Sequence, residues 1–328
     1  MKQSFSTFIL HFENSEFHGL HGVLIYSLSV FLSLYVLLIN VYPFTDMLSR
    51  SAIFMGFLTC ITFLTKQTLN QKSAFKTILW IWFPATISVL VSIYSVITFS
   101  EIIERNLELT QTNIFIGAVA IIVVFEAGRR SLGFWLPALC LIFMLYALFG
   151  QFLPSPWGHF GVRFERLLLR LVYTSEGFYG SVFQIAQSYI GLFVLFGAIL
   201  SATGATSALT NIGIYFSGGL VGGPAKVAIF ASGFTGMISG SAAANVATTG
   251  TLTIPMMKRV GFPSSFSGAV EAIASTGGLI TPPIMGAAAF LMAEFLGVSY
   301  LTILAGAIVP AVLYYASLYF LIDLRARR

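Results

Sequence analysis

The sequence predicts an all-α polytopic membrane protein of about 8 crossings plus one re-entrant helical hairpin. Three observations carry that prediction. Only 9% of the 328 residues are charged and 57% are hydrophobic, against about 25% charge in a soluble domain, so a water-exposed surface of normal extent cannot be built. The apolar residues come in blocks of membrane-spanning length rather than on one periodic, half-buried face. The cations gather in short clusters between those blocks, as in cytoplasmic loops facing anionic lipid. The net charge of +5 therefore points to membrane lipid as a neighbour and not to nucleic acid.

Residues 1–19 are polar and aromatic, with no cleavable signal pattern, and the first apolar block, 20–42, is long enough to span and stay. The second, 51–65, is short by the rule of about 20 residues, but Arg50 and Lys66 can snorkel at its ends. The third, 78–99, opens with Trp80 and Trp82, which suit an interfacial aromatic belt. The fourth, 112–127, stops at Arg129 and Arg130; the fifth, 132–153, ends at Pro154 and Pro156. Between Gly158 and Gly180, leucines recur at helical spacing while Arg163, Arg166 and Arg170 take another face. That pattern predicts an amphipathic helix lying in the interface. A sixth block covers 185–202, and a weakly amphipathic stretch, 205–216, runs into a glycine cluster closed by Pro224.

From Lys226 to Lys258 the chain is apolar but crowded with small residues. A single helix there would be about 48 Å long at 1.5 Å per residue, far beyond a core of about 30 Å. Two half-length helices meeting at Ser239-Gly240-Ser241 fit better, as a re-entrant hairpin over 224–260. Residues 263–296 repeat the theme as a broken helix. An apolar helix over 265–274 runs into Ser275-Thr276-Gly277-Gly278 and the tandem Pro282-Pro283, which removes two backbone donors and must end the helix. A final helix, 300–322, ends in Arg325, Arg327 and Arg328. With both termini cytoplasmic, every lysine falls inside and only Arg50, Arg105, Arg163, Arg166 and Arg170 fall outside. That bias follows the positive-inside rule; reading 226–258 as one crossing would put the C-terminal cations outside.

Non-helical backbone at membrane depth persists only where protein buries it or a cavity needs it. The broken segments offer oxygen ligands for a hard cation: Ser239, Gly240, Ser241, Asn245, Ser275, Thr276, Gly277, Gly278 and Thr281, with Pro282 at the break. Ser241, Asn245, Ser275 and Thr276 are the candidate Na⁺ ligands. The same small residues, such as Gly236-x-x-x-Gly240, would equally serve close helix packing. Glu271, before the proline break, is either a functional carboxyl group or one that fixes its helix through neighbouring hydroxyls. Glu126 beside Arg129 and Arg130 reads as a satisfied helix-end charge. His11, His18, His21 and His159 form no ligand set, and Cys60 and Cys140 both lie in apolar blocks, so neither a metal centre nor a disulfide framework is expected. An enzyme is not expected either. Ser239-x-Ser241 has no His or Asp base at its depth, and neither a His-Glu-x-x-His nor a phosphate-binding Gly-x-x-x-x-Gly-Lys motif occurs.

Four runs carry a family resemblance: Ser239-Gly-Ser-Ala-Ala-Ala-Asn-Val-Ala-Thr-Thr-Gly250, Ile254-Pro-Met-Met-Lys-Arg-Val-Gly261, Gly268-Ala-Val-Glu-Ala-Ile-Ala-Ser-Thr-Gly-Gly278 and Pro282-Pro-Ile-Met-Gly-Ala-Ala-Ala-Phe290. They resemble the large membrane subunit of TRAP (tripartite ATP-independent periplasmic) transporters, and in particular the TAXI branch, where small and large membrane subunits are fused. Glu126-Ala-Gly-Arg-Arg130 and Leu136-Pro137 resemble the junction. The resemblance implies an elevator-type importer in the inner membrane of a bacterial or archaeal cell. Na⁺ would be the coupling ion with no other cofactor, an organic acid such as a dicarboxylate the substrate, and a periplasmic TAXI-type binding protein the partner. It divides the chain into a four-helix small-subunit-like scaffold at 1–130, scaffold helices of the large subunit at 131–204, and the first of two inverted transport repeats at 205–328. On that reading the second repeat is absent, a separate polypeptide supplies it, and this chain does not transport alone. The alternative is a non-transporting scaffold or truncated remnant.

Overall fold

A computed structural model of the protein describes residues 20–42, 45–65, 78–217 and 219–327. His11, His18 and the cations at 2, 66, 72, 76 and 328 lie outside them, as does the side chain of His21. All regular structure among the described residues is helical. Among the described residues, seven helices are long and apolar enough to cross a membrane: Gly22–Val41, Met47–Thr65, Trp80–Glu104, Gln111–Leu132, Trp135–Phe152, Ser181–Leu200 and Tyr300–Ala326. The eighth expected crossing, the broken helix, is made of two pieces too short for that class. The chain forms two compact units, Met1–Gln184 and Ile185–Arg328.

The first unit holds α1 (Leu20–Val41), α2 (Met47–Thr65), α3 (Phe83–Glu104), α4 (Gln111–Leu132), α5 (Trp135–Phe149) and α6 (Phe164–Val172). Local chemistry sets their ends. The Ser49 amide donates to the Asp46 carboxyl at 2.9 Å, and the side chain of Thr110 caps α4 by accepting from the Asn113 amide, each satisfying an otherwise unpaired donor. Glu126 accepts from Arg129 and Arg130, each at 2.7 Å, at the end of α4. Small residues let α2 and α3 approach: the Ser92 hydroxyl donates to the Ala52 carbonyl at 2.5 Å. A Cβ on Gly56 would stand 2.6 Å from Ser92 Cβ. Gly56→Val is therefore expected to overpack this seam and lower stability by about 1–3 kcal/mol, read from thermal unfolding in detergent.

α6 has the two faces that its sequence pattern predicts. Part of its apolar face, however, is covered by protein. Leu168 and Val172 are fully buried with Ile102, Ala120 and Tyr173, and the Tyr173 hydroxyl donates to the Asn113 carbonyl at 2.8 Å. The arginine face is left exposed.

The second unit holds the end of the sixth span, α7 (Gly191–Ala202), then α8 (Ala205–Ser217), α9 (Gly223–Ser239), α10 (Ala242–Arg259), α11 (Ser264–Gly277), α12 (Ala287–Leu296) and α13 (Tyr300–Ala326). Ala225, Ala228, Met257, Val270, Ala274 and Leu318 form its core, so α9, α10, α11 and α13 meet around small side chains. At the start of α9, Lys226 is buried and donates to Asp323 of α13 at 2.5 Å, with its Nζ 4.3 Å from the centre of the Tyr319 ring. Arg327 holds the other oxygen of Asp323 at 2.7 Å.

Candidate functional site

α9 and α10 are the arms of a helical hairpin. Gly240 takes the left-handed conformation (φ 60°) and Ser241 is extended, so the chain reverses in two residues. The Ser241 side chain caps α10 by accepting from the Ala244 amide. The reversal brings Ser232 of α9 against Thr249 of α10, hydroxyl to hydroxyl at 2.9 Å. The same face carries a donor, Asn245 Nδ2, to the Ser232 carbonyl at 2.6 Å.

The break after α11 lies later than the sequence pattern places it. Ser275, Thr276 and Gly277 are still helical, and Gly278 opens a short 3₁₀ turn, Gly278–Ile280. The Thr276 hydroxyl donates to the Ala272 carbonyl at 2.8 Å, an i−4 bond compatible with continued helix. Only at Thr281 and the prolines does the ladder fail, because proline brings no donor and keeps its predecessor out of the α region. The non-helical backbone is therefore 240–241 and 281–286, narrower than the residue set the sequence suggests.

These two non-helical segments meet. A Cβ built on Gly240 would stand 3.0 Å from the Met285 carbonyl oxygen, and one on Gly278 would stand 2.5 Å from Gly236 Cα. The second contact is backbone on backbone, so Gly236 and Gly278 set the distance between hairpin and break. Met285 has φ 62°, a conformation that residues with a side chain rarely adopt. It is buried, and the Tyr300 hydroxyl braces the segment through the carbonyls of Pro283 at 3.0 Å and Ile284 at 2.5 Å. Nothing in the sequence pattern signals Met285, whose backbone angle follows from the contacts around it.

The four candidate Na⁺ ligands divide into pairs. Asn245 and Ser275 are fully buried, whereas Ser241 and Thr276 are exposed. The Ser275 hydroxyl donates to Glu271 at 3.3 Å, and no hydrogen bond among the described residues joins Ser241 to Thr276. Ser239 lies at the end of α9, its hydroxyl 3.4 Å from the Ser241 carbonyl and amide. The Thr281 hydroxyl donates to the Gly277 carbonyl at 2.6 Å, and Pro282 follows it in the break. The donor set suits a hard cation, since it contains only oxygens. One further oxygen is unspent. Thr235 Oγ1, buried on α9 one residue before Gly236, has no hydrogen-bond partner, and a buried orphan of this kind calls for an ion or water.

An apolar cleft of about 480 Å³ lies between α9 and α13, lined by Ile229, Gly233, Met237, Thr281, Ala311 and Tyr315 among others. No Lys or Arg is among its described lining residues. Among the described residues no group of three or more His, Cys, Asp or Glu could hold a metal ion.

Comparison with known proteins finds a family match. The profile of the family described as "Tripartite ATP-independent periplasmic transporter, DctM component" matches residues 119–328. No curated protein and no solved structure matches the chain.

Proposed function

The chain belongs to the family of DctM components of tripartite ATP-independent periplasmic transporters, and from that premise we propose that it is the membrane permease component of a Na⁺-coupled, binding-protein-dependent importer of an organic acid. Membership of a tripartite family implies a periplasmic substrate-binding protein and a small membrane partner. The four helices α1–α4 precede or overlap the start of the match at residue 119. We read α1–α4 as the small partner fused to the large one, in the TAXI manner. The hairpin α9–α10 is then re-entrant, both termini are cytoplasmic, and the second unit moves in the elevator manner within the inner membrane.

The observation that carries this reading is the meeting of two helix interruptions, Gly240 against the Met285 carbonyl and Gly236 against Gly278. Each interruption starts a new helix, α10 at Ala242 and α12 at Ala287. Helix N-termini present unpaired amides and a partial positive charge. They can therefore face a carboxylate without any arginine, while the carbonyls and hydroxyls beside them face the cation. Ser241, with its hydroxyl exposed at the hairpin tip, and Thr276, exposed beside the break, are the ligands that an entering ion meets first.

The test is direct. Na⁺ is expected to raise the melting temperature of the purified chain. Ser241→Ala or Thr276→Ala is expected to shrink that rise at constant ionic strength, with K⁺ inactive throughout. A wild-type chain, assembled with its partners, that ignores Na⁺ and takes up no organic acid in proteoliposomes would instead be a non-transporting scaffold.

A further inference from the structure

Glu271 is the one fully buried carboxyl group of the described structure. We propose that it is the positioning residue of the ion site: it does not touch the ion, but sets where Asn245 and Ser275 stand. The inference rests on the ion-site reading above and adds to it the group that controls ion affinity.

Four hydroxyls converge on Glu271 from three helices. Ser232 of α9 and Thr249 of α10 lie 2.6 Å from Oε1, and Ser275 of its own helix lies 3.3 Å from it. Thr253 of α10 donates to Oε2 at 2.5 Å. Three of these contacts lead straight to two candidate ligands, Ser275 and Asn245. The backbone carbonyl of Ser232 receives Asn245 Nδ2 at 2.6 Å, and Thr249 Oγ1 lies 3.4 Å from Asn245 Oδ1. One carboxyl group thus holds both arms of the hairpin and the last turn before the break in a single register.

A core that needed only packing would be served by an apolar side chain of the same size, because a buried polar group gains little net stability from its bonds and costs much when they are lost. No Lys, Arg or His contacts the Glu271 carboxyl among the described residues, so hydroxyls alone orient it. The other buried ionisable side chain of this unit is different. Lys226 sits at the opposite end of α9, tied to Asp323 and Tyr319, and reaches no candidate ligand. It is the structural comparator.

The full chain in detergent is titrated with NaCl against choline chloride at fixed ionic strength, and the rise in melting temperature gives the Na⁺ half-saturation. Partners that orient the ligands of an ion typically govern its affinity by 10- to 100-fold, so Glu271→Ala is expected to raise the half-saturation by roughly that factor. Glu271→Gln, which keeps the shape and one acceptor oxygen, is expected to show an intermediate rise. Lys226→Met is expected to lower the melting temperature without Na⁺ and leave the half-saturation in place. An unchanged half-saturation in Glu271→Gln and Glu271→Ala overturns the inference, and so does an equal shift in Lys226→Met for the same loss of melting temperature. Should Glu271→Ala not fold, Glu271→Gln decides alone: a raised half-saturation supports the inference and a wild-type value overturns it. A wild-type chain without any Na⁺ response removes the ion site itself, a failure distinct from that of Glu271.

Discussion

Gly278→Ala is expected to be strongly damaging for a single added methyl group. The new Cβ would lie 2.5 Å from Gly236 Cα, 2.6 Å from its carbonyl carbon and 3.1 Å from the Met237 amide. All of these are backbone atoms, so no side chain can swing aside, and the 3₁₀ turn or the hairpin arm must move. Overpacking of this kind costs typically 1–3 kcal/mol and occasionally more; here the upper end, about 3 kcal/mol, is expected. The displacement also separates the two non-helical segments, so the Na⁺-dependent rise in melting temperature should vanish. Gly268→Ala is the matched control. It sits in the same α11 with nothing within 4 Å of its Cβ, and it should be neutral or stabilise by about 0.5–1 kcal/mol through helix propensity. Equal unfolding midpoints for the two variants would show that the close approach at Gly278 is not tight.

Asn245→Leu should have the second largest effect, for an electronic reason. Leucine is nearly isosteric, but it removes the donor that the Ser232 carbonyl receives at 2.6 Å inside a fully buried site. The carbonyl keeps its bond within α9, so the cost is that of one buried hydrogen bond, about 0.5–1.5 kcal/mol. The loss should be compounded at the ion site, because Asn245 Oδ1 is also withdrawn as an acceptor for Thr249. The expected result is a lower melting temperature in choline chloride and no further rise in NaCl. An Asn245→Leu chain that keeps the wild-type Na⁺ response would remove Asn245 from the ligand set while leaving its packing role intact.

Much of the framework is legible in the sequence because the bilayer imposes it. A lipid core demands apolar blocks of fixed length, and all seven long apolar helices fall on such blocks. The reversal at Ser239-Gly240-Ser241 and the stop at Pro282-Pro283 are legible too, since left-handed glycine and tandem proline act locally. The position at which α11 gives way is not. Ser275 and Thr276 look like loop residues, but their hydroxyls find acceptors within their own helix, at Glu271 and Ala272, and so they extend it. Nor does spacing reveal that Ser232, Thr249 and Thr253 converge on Glu271, because those contacts span 39, 22 and 18 residues of chain. α6 is the reverse case. Its amphipathic pattern is plain, but the pattern cannot say whether lipid or protein covers the apolar face; Leu168 and Val172 lie within the core of the first unit.

The contact between Gly236 and Gly278 has a mechanical consequence. Two helices meeting with no side chain between them cannot rotate or slide without a backbone collision, and Glu271 bolts the same pieces together from behind. α9, α10 and α11 therefore form one stiff cartridge. Its couplings to neighbouring helices pass through Gly204 (φ 86°) and Gly297 (φ 63°), where nothing lies within 4 Å of either Cβ position. Spin labels on α9 and α11 should accordingly keep a fixed separation while the distance from either helix to α7 varies.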